Sequence, residues 1–207
     1  AIKKGGNVII PAFAVGRTQD ILYILNQLSR EGKLNHLQVF VDSPMALQAT
    51  RITLKHPECL DKETLELIKN DKFPKNGLTL KFTESVEDSM KINKIQSNVI
   101  IISASGMCEG GRIRHHLKHN LWRSECSVIF VGFQAVGTLG RRIVEGAKTV
   151  RIFGEEIAVK ASIYTIGGLS AHADRDELLD WLGKFKNRPR RVFVMHGEEQ
   201  TALDFAR

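Results

Sequence analysis

Four times in the first 140 residues a short apolar run rich in β-branched residues leads through a turn of Gly, Ser or Pro into a helical pattern. Each run is too short for a helix, so each pair reads as a strand followed by a helix. The first unit is Asn7 to Ile10, then Pro11-Ala12-Phe13-Ala14-Val15-Gly16-Arg17-Thr18, then a helix from Gln19 to Leu28 with Ile21, Leu22, Ile24, Leu25 and Leu28 on one stripe. The second is Leu37 to Val41 followed by Asp42-Ser43-Pro44, where the proline suits a first helical turn. The third joins Asn98 to Ile102 through Ser103-Ala104-Ser105-Gly106-Met107-Cys108-Glu109-Gly110-Gly111 to a helix from Arg112. The fourth joins Ser127 to Val131 through Gly132-Phe133-Gln134-Ala135-Val136-Gly137-Thr138 to a helix from Leu139 to Glu145.

This alternation predicts an α/β fold with a largely parallel sheet and helices on both faces, because crossovers between parallel strands place helices there. All four turns then share one sheet edge. Ligands of open α/β sheets bind outside the carboxyl ends of the strands, where helix N-termini offer unpaired amides to anions. The charged segment Lys55 to Lys94, with a helix over Lys62 to Lys69, reads as a peripheral excursion without chemistry. After Val150 come two strand-like runs, Arg151 to Phe153 and Ile157 to Ile166, joined by a turn at Gly154-Glu155-Glu156. A further βαβ unit follows: its first strand ends at Ile166, its helix spans about Asp174 to Phe185, and its second strand is Val192 to Met195. A right-handed crossover makes those strands parallel, so His172 and His196 are expected at the same edge.

With 207 residues, 43% of them hydrophobic, the chain has material for one large domain, or for one domain and part of another. It starts at Ala1 inside no obvious leader and ends at Arg207 within an amphipathic segment, so it reads as an excerpt. Cys59, Cys108 and Cys126 have no CxxC spacing, which gives neither a disulfide framework nor a zinc knuckle and points to a reducing cytoplasm. No apolar run approaches the ~20 residues of a membrane span, so no membrane partner is expected. A net charge of +7 favours anionic partners such as nucleic acid.

Ser103-Ala104-Ser105-Gly106 lets backbone amides approach an anion while two hydroxyls add donors; a tight turn needing small residues for geometry alone accounts for the same loop. Arg17 and Arg141, near the other two turns, suit a two-pronged grip on phosphate. Several phosphate-sized turns on one edge match a polynucleotide backbone better than a mononucleotide. The helix from Arg112 to Arg123 has Ile113, Leu117 and Leu121 on one stripe and Arg112, His115, His119 and Arg123 away from it, either as a cationic face for RNA or as an ordinary solvated face. His115 and His119 have the i, i+4 spacing of a metal chelate but no evident third ligand. His172 and His196 sit in strand-end loops rather than in apolar stripes, where catalytic groups concentrate. Each equally suits a structural loop histidine.

Six stretches, Pro11 to Arg17, Asp42 to Ala46, Ser103 to Gly111, Gly132 to Arg141, Ser170 to Asp174 and Met195 to Glu198, resemble in that order stretches of the β-CASP metallo-β-lactamase-fold RNA-processing nucleases, in their shorter prokaryotic form. The resemblance implies a β-CASP domain over 1–167 and, over 168–207, the C-terminal part of an αββα metallo-β-lactamase domain. It implies that His172 faces the scissile phosphate, that His196 ligates one zinc, and that Arg17, Ser103, Ser105, Gly106, Thr138 and Arg141 hold RNA. Two zincs in the intact protein would generate a hydroxide nucleophile. No H-x-H-x-D-H segment is present, so the resemblance further implies a chain that is inactive alone and holds zinc weakly or not at all. The resemblance also admits a homodimer of the intact protein. A non-catalytic RNA- or phosphate-binding module and a small-substrate metallohydrolase are the competing expectations.

Overall fold

A computed structural model describes residues 1–34, 36–70 and 78–207, without the side chains of 67–70. It divides into two compact units, Ala1–Leu169 and Ser170–Arg207.

In the first unit the elements follow in the order β1 (Val8–Pro11), α1 (Arg17–Arg30), β2 (Gln38–Asp42), α2 (Pro44–Lys55), α3 (Lys62–Asn70), β3 (Thr79–Phe82), α4 (Val86–Ile92), β4 (Val99–Ser103), α5 (Ile113–Asn120), β5 (Ser127–Phe130), α6 (Leu139–Val144), β6 (Thr149–Ile152), β7 (Glu155–Ala158) and β8 (Ser162–Thr165). Six strands form one parallel sheet in the order β3-β2-β4-β1-β5-β8. Alternation along the strands divides the core into two faces. Ile10, Val39, Val41, Ile100 and Ile102 pack on one face beneath Ile21, Leu22 and Leu25 of α1 and Ala46 of α2. Ile9, Val128 and Phe130 pack on the other beneath Ile113 and Leu117 of α5 and Ile143 of α6, with Phe40 and Ile101 beneath Ile92 of α4. Helices therefore cover both faces, as the βα alternation requires. α2 starts where the sequence suggested: Ser43 caps it by accepting from the Ala46 amide at 3.2 Å, and Pro44 opens the first turn.

Three expectations need correction. The segment Lys55 to Lys94 is more than an excursion, since its residues 79–82 supply the edge strand β3 and its residues 83–92 supply a loop and a helix packed on the sheet; residues 71–77 of it lie outside the described residues. A four-residue strand carrying Lys81 and paired on one side only leaves little periodicity to read. The run Ile157 to Ile166 is two strands, β7 pairing antiparallel with β6 and β8 joining the main sheet. The hairpin turns at Phe153-Gly154, both with positive φ (52° and 82°), one residue earlier than expected; a two-residue loop of that kind matches the natural twist of its strands. Finally, Val192 to Met195 forms no strand: among the described residues no ladder pairs it, and Phe193 and Met195 are 76% and 78% exposed.

One buried carboxylate ties the β3 edge together. Asp42, at the end of β2, is 1% exposed. It accepts from Thr83 Oγ1, from Ser89 Oγ at 2.6 Å, from His116 Nε2 at 2.7 Å and from Arg112 Nη1 at 2.8 Å. His116 is itself fully buried and reaches Asn93 through Nδ1 at 2.8 Å. Burial by itself pushes the Asp42 carboxyl up; the hydrogen bonds from His116, Ser89 and Thr83 outweigh it and hold the group well below the usual carboxylate range. A carboxyl held low in the folded state stabilises fully above the ordinary value of ~4 and loses that contribution as pH falls below it. Asp42→Asn, which leaves His116 and Arg112 without their anion, is expected to cost on the order of 3–5 kcal/mol in urea unfolding at neutral pH. The loss of stability between about pH 5 and about pH 3 should also be shallower in the variant than in the wild type; equal slopes would show that Asp42 does not carry this acid dependence.

Candidate functional site

The direction of each crossover decides which face its helix occupies. Moves toward the β3 edge carry α1 and α2 on one face, and moves toward the β8 edge carry α4, α5 and α6 on the other. This is the right-handed solution for both directions. The neighbours β1 and β4 therefore send their loops to opposite faces, as do β1 and β5. Ligand crevices of open α/β sheets form at such switch points.

The loops at this edge are laced to one another. The Ala12 amide donates to the Ser103 carbonyl at 3.0 Å, and Arg17 Nη1 donates to the Val131 carbonyl at 2.7 Å. Gln134, buried in the turn after β5, donates through Nε2 to the carbonyls of Gly106, Gly132 and Phe133 at 3.0–3.1 Å. The Gly140 amide donates to the Met107 carbonyl at 3.1 Å, and Glu109 accepts from the Leu139 amide at the start of α6. Ser105, Gly106 and Thr138 thus lie on loops joined at one edge, with Arg17 and Arg141 in the first turns of α1 and α6.

Their side chains are committed to different degrees. Ser103 is 1% exposed and donates to the Asp42 carbonyl at 2.9 Å, so its hydroxyl is spent on holding β4 to β2. Ser105 exchanges long hydrogen bonds of 3.4 Å with Gly110. Thr138 caps α6, accepting from the Arg141 amide at 3.2 Å and donating to Ala135 at 2.7 Å. Arg141 reaches Glu145 at 2.6 Å and the Gln134 carbonyl at 3.2 Å. Arg17 approaches Asp20 at 3.6 Å as well as Val131. Among the described residues the amides of Gly106 and Met107 donate to nothing, although Gly106 is buried against the Phe13 ring. Unpaired amides in a small-residue turn are suited to an anion. Phe13, Val15, Phe133 and Val136 stand exposed on these same loops.

The cationic helix face also differs from expectation. Arg112 is drawn to Asp42 and to the Glu84 carbonyl at 2.8 Å, and Arg123 is buried against Glu125 and the Gln96 carbonyl at 2.6 Å. The outward positions are Arg114, His115, Lys118 and His119. Burial, then neighbouring cations, hold His115 and His119 below the ordinary imidazole value. Burial pushes the Cys108 thiol up to about 12, which leaves it inert.

In the second unit, α7 (Arg175–Gly183) opens with a capping box, Asp174 accepting from the Glu177 amide at 2.9 Å and Glu177 accepting from the Asp174 amide at 3.0 Å. His172, exposed just before that cap, donates its amide to Ser170 Oγ at 3.2 Å. His196 is exposed, with a left-handed backbone (φ 64°), two residues before the N-cap of α8 (Glu199–Ala206). Among the described residues no strand partner fixes the His196 loop, so the parallel-strand argument for bringing the two histidines together does not hold. Among the described residues no three His, Cys, Asp or Glu side chains gather as a metal site, whereas a catalytic zinc takes three protein ligands.

The Beta-Casp domain model matches residues 18–143. The chain belongs to the Beta-Casp family. Residues 156–207 of this Beta-Casp chain match a second model, the Zn-dependent metallo-hydrolase RNA specificity domain. Ribonuclease TTHA0252 of Thermus thermophilus is 39% identical over 202 residues, which are 98% of this chain and 46% of that protein. The RNase J-like protein of Methanocaldococcus jannaschii is 35% identical over 205 residues, 99% of this chain and 46% of that protein. Transcription termination factor FttA of Pyrococcus horikoshii is 37% identical over 213 residues, 99% of this chain and 32% of that protein. The Beta-Casp chain thus spans about half the length of two of these relatives and a third of the other.

Sequence reasoning passed over Asp42 as a turn residue and did not single out His116, Gln134 or Glu109. For His116 a signal exists: with Ile113, Leu117 and Asn120 it occupies the i, i+3, i+4, i+7 positions of the buried helical stripe. For Gln134 and Glu109 no local pattern announces the interaction, since their partners lie in other loops.

The edge has little room to adapt. A methyl group at Gly140 would fall 1.8 Å from Gln134 Oε1 and 3.1 Å from the Met107 carbonyl, and Gln134 is pinned by three hydrogen bonds. Gly140→Ala is expected to displace Gln134 and cost about 1–3 kcal/mol by thermal or urea unfolding; an unchanged midpoint would show that the turn after β5 repacks freely.

Proposed function

We propose that this chain is the RNA-gripping part of a zinc-dependent ribonuclease that cleaves phosphodiester bonds of RNA, and that it is inactive by itself. The observation that carries the reading is the strand-end edge. The laced loops carry the unpaired Gly106 and Met107 amides, and Arg17 ties the start of α1 to the end of β5, in a chain whose similar proteins include a ribonuclease and an RNase J-like protein. Amides and guanidinium groups held in place before binding favour a phosphate without the cost of ordering them first. Ser105, Gly106, Arg17, Thr138 and Arg141 are the residues assigned to the RNA backbone; Ser103 contributes by fixing β4 to β2.

His196 is assigned as one zinc ligand. Zinc, when bound in the intact protein, would supply a hydroxide nucleophile and hold phosphate oxygens. The donors present here do not complete such a site, so the remaining ligands belong to other parts of the intact protein. His172, exposed and free of side-chain partners among the described residues, is assigned to face the scissile phosphate and to protonate or stabilise the leaving oxygen. The same reading takes in a homodimer of the intact protein and a reducing cytoplasmic setting, the latter supported by free Cys59, Cys108 and Cys126.

The test compares this chain with the protein extended to the length of the Thermus relative, measuring zinc content and cleavage of a labelled single-stranded RNA. The extended protein is expected to hold about two zincs and cut RNA, with His172→Ala and His196→Ala each lowering the rate by about 100-fold or more, while the short chain does neither. A metal-free extended protein that binds RNA without cutting it would instead make this a binding module. Cleavage of a small phosphodiester at a rate that longer RNA does not improve would favour the small-substrate hydrolase.

A further inference from the structure

α5 turns Ile113, His116, Leu117 and Asn120 inward and leaves Arg114, His115, Lys118 and His119 outward. Trp122, just past its end, extends the outward row and is 54% exposed. The β6–β7 hairpin lies alongside this row. Its tip residue Phe153 sits under the Arg114 guanidinium, 4.6 Å from ring centroid to carbon, and against the His115 ring at 4.5 Å. Further along, Lys118 pairs with Glu155 at 2.6 Å, and the Lys160 amide donates to the carbonyl of Leu121, the residue before Trp122. The row therefore runs Phe153 and Arg114, then Lys118, then Trp122 and Lys160, with successive helix members about 6 Å apart.

Single exposed aromatics need no explanation. Here two of them alternate with cations along one line. No acid occurs in the chain between Glu109 and Glu125, and the acids of the neighbouring strand are Glu155, already paired with Lys118, and Glu156, opposite Arg151 in the hairpin register. Arg114 has a buried Nε with no hydrogen-bond partner, so ring stacking is what holds its guanidinium. α5 also leaves the loop 104–112 directly, so the row begins at the strand-end edge and continues down the outside of the sheet.

We propose that this row, the outward face of α5 with the hairpin tip and Trp122, binds single-stranded RNA as it leaves the strand-end edge, with Arg114, Lys118 and Lys160 on phosphates, Trp122 stacking a base and Phe153 holding the Arg114 guanidinium in place. Aromatic faces interleaved with cations suit single strands, whose bases are free to stack, better than duplexes. The assignment rests on the RNA reading given above and extends it to a surface outside the loops used there.

The test measures binding of this chain to a fluorescein-labelled single-stranded RNA by fluorescence anisotropy across a salt series. The triple variant Arg114→Gln, Lys118→Gln, Lys160→Gln is expected to bind about tenfold or more weakly and to lower the salt slope by roughly 0.7 for each phosphate that is no longer neutralised. Trp122→Ala should weaken binding by about tenfold without changing the slope. Trp122→Ala and Lys160→Gln remove side chains that hold no hydrogen-bond or ion-pair partner among the described residues, so they stay informative should the triple variant melt early. Strip variants that bind as tightly as the wild type, while Arg17→Gln weakens binding, would overturn this proposal and leave the strand-end reading standing. A wild-type chain that binds no RNA would overturn both, and duplex RNA binding as tightly as the single strand would overturn the stacking assignment.

Discussion

The handedness of the crossover between parallel strands governs nearly everything else in this molecule. Because every strand in the six-stranded sheet runs the same way, every following loop emerges at one edge. Because a right-handed connection is the one that packs back onto the sheet, the direction of travel selects the face. α1 and α2 must then cover one side, and α4, α5 and α6 the other. The loop after β1 leaves for one face, and the loops after β4 and β5 for the other. The site follows from topology before any particular side chain is considered.

What the side chains add is rigidity. Loops at a sheet edge are ordinarily the mobile parts of a domain. Here Gln134 gathers three carbonyls, Arg17 reaches the end of β5, Glu109 meets the first amide of α6, and the buried Asp42 draws β3, α4 and α5 toward the end of β2. The Gly106 and Met107 amides, which donate to nothing among the described residues, sit on loops held together by these ties, an arrangement that suits recognition of a charged backbone. Ser103 and Ser105, two residues apart, differ in how tightly their hydroxyls are committed, Ser103 to the Asp42 carbonyl at 2.9 Å and Ser105 to Gly110 at 3.4 Å.

The βα units were legible because they rest on local periodicity: apolar strand runs, small-residue turns, a proline at the first turn of α2. The edge strand β3 was not, since four residues paired on one side carry almost no pattern. The ties among loops were invisible for another reason. Asp42 and His116 are 74 residues apart, and Gln134 and Gly106 28 apart, and nothing local marks either pair. The reading of Arg112 and Arg123 as an open cationic face failed because a helical stripe says which way a side chain starts and not what its far end reaches. Val192 to Met195 has the composition of a strand, but a strand exists only by pairing, and composition cannot supply the partner.

The central claim is that RNA meets this chain at the strand-end loops and continues along α5. Amide hydrogen exchange with and without a single-stranded RNA tests it most directly, because every backbone position reports separately. The account predicts protection on RNA binding within residues 104–112 and 131–138, together with slower exchange near Trp122 and the hairpin tip at Phe153. RNA binding that leaves all of these unchanged and protects only the opposite edge of the sheet, around Asn7 and Gln96, would contradict it.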